Sequence, residues 1–99
     1  MIRHVVIWRL KPQGGDERAR TFERIRSALE AQVGRIPGLL RVETGLNVSA
    51  SRRAGDFSLI CDFETPAALA GYQKHPAHFE TRAIVDPLID EHWIVDYEL

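Results

Sequence analysis

The fold turns on one stretch, Ile2-Arg3-His4-Val5-Val6-Ile7-Trp8-Arg9-Leu10. Its β-branched and aromatic residues read as a strand, and both parities are apolar, with Val6, Trp8 and Leu10 on one and Val5 and Ile7 on the other. A half-exposed strand alternates apolar with polar residues. A strand that is apolar on both faces lies between two layers. Helices are therefore expected on one side of its sheet and a second covering on the other.

Outward from this strand, Lys11-Pro12-Gln13-Gly14-Gly15 is a loop, and Asp16 can cap a helix over residues 16 to 33. Ala19, Phe22, Ile25, Leu29 and Val33 recur at steps of three and four and give that helix one buried face. Gly34 serves as a left-handed terminator, and Pro37-Gly38 blocks continuation. Period-two alternation then returns twice. In residues 39 to 48, Leu40, Val42, Thr44 and Leu46 oppose Arg41, Glu43, Gly45 and Asn47; after a polar loop through Arg52-Arg53, Phe57, Leu59, Cys61 and Phe63 share one face.

Thr65-Pro66 reads as an N-cap with proline at the first helical position. His75-Pro76 breaks that helix, because a residue before proline is pushed out of helical geometry, and a short helix restarts at Pro76. Residues 91 to 99 form the last strand, with Trp93, Val95 and Tyr97 opposite His92, Ile94 and Asp96. The order strand, helix, strand, strand, helix, strand implies an α+β ferredoxin-like βαββαβ sandwich, a four-stranded antiparallel sheet with helices on one face. The other face would be bare in a monomer, and a second copy covers it most economically. One domain, 1–99, and a homodimer are expected.

A net charge of -1, with 44% hydrophobic and 27% charged residues, offers no field for nucleic acid. No run approaches the roughly 18 apolar residues of a spanning helix, and the opening strand leaves no signal-peptide core, so a cytoplasmic protein with no membrane partner is expected. Cys61 is the single cysteine and has no partner for a disulfide. Phosphate loops and serine-elbow motifs are absent from the sequence.

The chemistry-bearing residues crowd into Tyr72-Gln73-Lys74-His75-Pro76-Ala77-His78. An imidazole titrating near pH ~6.5 can take a proton alpha to a carbonyl at neutral pH, and a phenol can donate to the imidazole or to the substrate oxygen. The plain alternative is that His75 to His78 cap the third helix while Tyr72 fills a core edge. His4 shares parity with Val6 and Trp8, so it is either a satisfied core-edge histidine or a pocket residue. His75 and His78 alone fall short of the three ligands a zinc site needs, so no bound metal is expected. His92 reads as structural, and Arg52-Arg53 as a solvated pair.

These segments together resemble the stress-responsive dimeric α/β-barrel family, Dabb. The likeness is carried by the opening Met1 to Leu10 strand, Ile36-Pro37-Gly38, Glu43-Thr44-Gly45-Leu46-Asn47, Tyr72-Gln73-Lys74-His75-Pro76-Ala77-His78 and Val95-Asp96-Tyr97. The resemblance implies a ferredoxin-like subunit that pairs into a barrel. Its plant branch contains polyketide cyclases that close a poly-β-ketone by aldol condensation without metal or cofactor. There a tyrosine and the second histidine of His-Pro-Ala-His act, matching Tyr72 and His78, and a first-strand histidine matches His4. Some of those cyclases carry a histidine where this chain has Phe57. With the residue reading beside it, the expectation is His78 and Tyr72 as catalytic residues, His4, Trp8 and His75 as substrate-binding residues, no cofactor, and a small apolar or aromatic carbonyl ligand. A non-catalytic, stress-associated ligand-binding dimer and a cofactorless monooxygenase are the alternatives.

Overall fold

The computed structural model describes residues 1–99. The elements run β1 (Ile2–Leu10), α1 (Gly15–Glu30), β2 (Leu39–Leu46), β3 (Phe57–Phe63), α2 (Pro66–Tyr72), α3 (Pro76–Val85), a single 3₁₀ turn (Asp86–Leu88) and β4 (Ile89–Glu98). All strand pairs are antiparallel and the sheet order is β2-β3-β1-β4, which is the ferredoxin-like arrangement. The helices cover one face.

The core lies between that face and the helices. Ile2, Val6, Trp8 and Leu10 of β1 and Phe57, Leu59, Cys61 and Phe63 of β3 point into it, against Phe22, Ile25 and Leu29 of α1. Ile25 and Cys61 are fully buried. The opposite parity forms an open face. There Ile7, Trp93, Val95 and Tyr97 are exposed, and Asp62 is buried between Arg3 at 2.8 Å and Arg41 at 3.3 Å.

Three local expectations are corrected. Helix α1 ends at Glu30, so its periodicity does not reach Val33, which is exposed; the following turns bury Gln32 and Ile36 instead. At its other end Gly14 is the N-cap, with no side-chain cap, and Asp16 sits inside the first turn. In β2 a register shift between Leu39 and Arg41 inserts an extra residue, so Leu39 is buried and Leu40 is exposed. The rest of the strand follows the sequence pattern.

The break between α2 and α3 is built as its residues dictate. Thr65 Oγ1 accepts from the Ala68 amide at 3.1 Å and Pro66 follows it. His75, extended at φ -78° and ψ 138°, precedes Pro76, and its Nδ1 accepts from the Ala77 amide at 3.0 Å. The chain therefore turns between Tyr72 and His78, at the end of one helix and the start of the next.

Candidate functional site

A cavity of about 280 Å³ lies between the β1–β4 side of the sheet and the helices. Its apolar lining includes Val6, Trp8, Leu29, Leu59, Val85, Ile89 and Ile94. His4, Tyr72 and His78 meet at it, with Gln73, Thr81, Arg82, Asp86 and His92 as its other polar liners. The Tyr72 and His78 ring centroids are 4.1 Å apart at an interplanar angle of 45°, and His4 is 6.1 Å from Tyr72. Residues from the first strand and from two helices are thus brought into one aromatic cluster, backed by Phe63 at 4.9 Å from Tyr72.

The three groups are in different states. Tyr72 is buried, and burial, with Cys61 beside it, pushes its hydroxyl well above the ordinary phenol range against a smaller opposing pull from Gln32. It stays an O–H donor across the physiological range. His78 is half-buried, and burial, followed by the positive charge of Arg82, holds its imidazole below the ordinary histidine value. It is neutral at neutral pH, and its buried Nδ1 has no hydrogen-bond partner. Tyr72 and His78 meet ring to ring.

His4 is held differently. Its Nδ1 lies 2.5 Å from Asp96 Oδ1, from the residue directly opposite it in the β1–β4 register. A carboxylate at Nδ1 keeps a proton on that nitrogen and fixes the ring. Asp96 is the site residue that sequence reasoning missed. Its signal was present, since it shares parity with His92 and Ile94, but only the strand register sets it against His4. His92, read as structural, also lines the cavity, opposite Trp8 in the same register.

Four of the five sequence candidates, His4, Trp8, Tyr72 and His78, line this one cavity. His75 does not: its Nδ1 is engaged in capping α3. Cys61 is buried and its thiol is pushed up to about 12 by burial, so it stays protonated.

The Dabb model, Stress responsive A/B Barrel Domain, matches residues 2–99. The chain belongs to this family. Among solved structures, a Dabb family protein with a ferredoxin-like fold from Mesorhizobium loti is 22% identical with a TM-score of 0.77, covering 99% of this chain and 95% of that one. A dimeric protein of unknown function and ferredoxin-like fold from Bacteroides fragilis is 23% identical with a TM-score of 0.87, over 99% and 95%. Hydroxynitrile lyase from Passiflora edulis is 17% identical with a TM-score of 0.81, over 99% and 92%. No curated protein matches the chain. At these identities the solved structures share the Dabb fold with this chain, and nothing of the lyase's chemistry is carried by the likeness itself.

Proposed function

We propose that this Dabb protein binds a small carbonyl-bearing molecule in the cavity and acts on it by cofactor-free proton abstraction, as a lyase or cyclase. In this reading His78 takes the proton from the carbon alpha to the carbonyl. The electron pair moves into an enolate, and the Tyr72 hydroxyl donates to its oxygen. The enolate carbon then attacks a second carbonyl of the same molecule, and the imidazolium returns its proton to the new alkoxide. His4, held by Asp96, offers Nε2 to a ligand hydroxyl and orients it.

The observation that carries this reading is the meeting of a neutral imidazole, a protonated phenol and a carboxylate-held imidazole at one largely apolar cavity. Apolar walls strengthen each of those hydrogen bonds by excluding water. A lyase on the same fold is in keeping with it. The test is a thermal-shift screen of aromatic and polyketide-like carbonyl compounds, followed by product analysis on each hit. Turnover that disappears in His78→Ala and Tyr72→Phe supports the reading; ligand binding without turnover favours a non-catalytic, stress-associated binding protein instead.

The working form is proposed to be a homodimer in the cytoplasm, paired through the open face. Ile7, Trp93, Val95 and Tyr97 are exposed there, a clustering that isolated soluble domains avoid. Relatives with this fold from Bacteroides fragilis and Thermobifida fusca are dimeric.

A further inference from the structure

The cavity has one permanent cation, and its placement suggests which molecules the site favours. Arg82 sits one helical turn after His78 on α3 and lines the same cavity. It is 57% exposed, with Nε and Nη2 both directed at a single oxygen of Asp86, at 3.1 and 3.0 Å. That pair spans one turn at the surface, where such contacts are weak and exchangeable. Nη1 remains for another acceptor, and a guanidinium is built to take a carboxylate with two parallel N–H donors.

We propose that the cavity selects an organic monoanion, a molecule with an apolar body and a carboxylate, with the carboxylate held by Arg82. This rests on the reading of the cavity as a ligand site and adds the class of ligand. The body packs against Trp8 and Ile94, and the acid end stays at the exposed guanidinium. Asp86 does not cancel the cation inside the cavity: at His78 the effect of Arg82 outweighs the opposing effect of Asp86. A single guanidinium beside a carboxylate suits one negative charge better than two, which favours a carboxylate over a phosphate.

Calorimetric titration of the whole chain at low salt with phenylacetate, phenylacetamide and phenyl phosphate tests this. Phenylacetate is expected to bind about fivefold tighter than the amide, the gain a charge-assisted pair gives at a half-open site. That preference should shrink with added salt, vanish in Arg82→Gln, persist in part in Arg82→Lys, and grow in Asp86→Asn. Equal binding of acid and amide, or a preference that survives Arg82→Gln, overturns the inference and leaves the ligand-site reading standing. Tighter binding of phenyl phosphate overturns the carboxylate assignment. Failure of all three probes to bind overturns both.

Discussion

The site depends on how its aromatic groups are held, and they are held by different means. Burial and Arg82 hold His78 further toward its neutral form, burial raises the Tyr72 phenol further above its ordinary range, and His4 owes its orientation to one carboxylate. If His78 is the base, His78→Ala should lower turnover by about 10²–10⁴-fold with the fold retained in circular dichroism, and Tyr72→Phe should lower it too. A base must be unprotonated to act. Because the fold holds His78 below the ordinary ~6.5, activity should stay level from neutral pH down to about that value and fall only in more acid solution. The same shift costs stability in acid. Below ~6.5 the unfolded chain binds a proton that native His78 resists, so melting temperature should drop there, and less so in His78→Phe. Asp96→Asn should change the tautomer ratio of His4, read from its ring ¹⁵N shifts; an unchanged ratio would show that Asp96 does not set it.

The elements explain why so much could be read from the chain and where reading stopped. Strand β3 announced its buried parity because alternation survives on a sheet covered from one side, whereas β1, apolar on both parities, announced only that both its faces call for cover; the Thr65-Pro66 and His75-Pro76 signals are local, so both helix starts were legible. The end of α1 and the bulge in β2 were not. Both depend on how the chain must turn to reach its neighbours, which moved Gln32 inward and Leu40 outward against the local period. Asp96 was hidden for the same reason, being brought to His4 by register across almost the whole chain. Gly38 shows how tightly these joins are built. It has φ +79°, and a Cβ there would lie 2.5 Å from the Ala68 Cβ at the start of α2. Gly38→Ala should therefore cost at least about 1 kcal/mol in denaturant unfolding, whereas Gly71→Ala, inside α2 with open space around it, should cost little.

As a whole the molecule is one sheet with a covered face that forms the cavity and an open face that carries aromatic and aliphatic side chains. The edge strand β4 serves both: His92, Ile94 and Asp96 turn toward the cavity side while Trp93, Val95 and Tyr97 turn outward. Pairing through the open face would stiffen β4 and with it the Asp96 that holds His4. Sedimentation at micromolar concentration should therefore give a dimer, and Val95→Glu, at a position 61% exposed in the single chain, should give a monomer; a wild-type monomer would refute the pairing. The claim that the cavity abstracts protons from carbon can be checked without knowing the natural substrate. Proton NMR of acetophenone in D₂O at neutral pH should show its methyl protons exchanging faster with the wild-type protein than with His78→Ala, whose rate should match buffer. Equal exchange with both proteins would contradict the account.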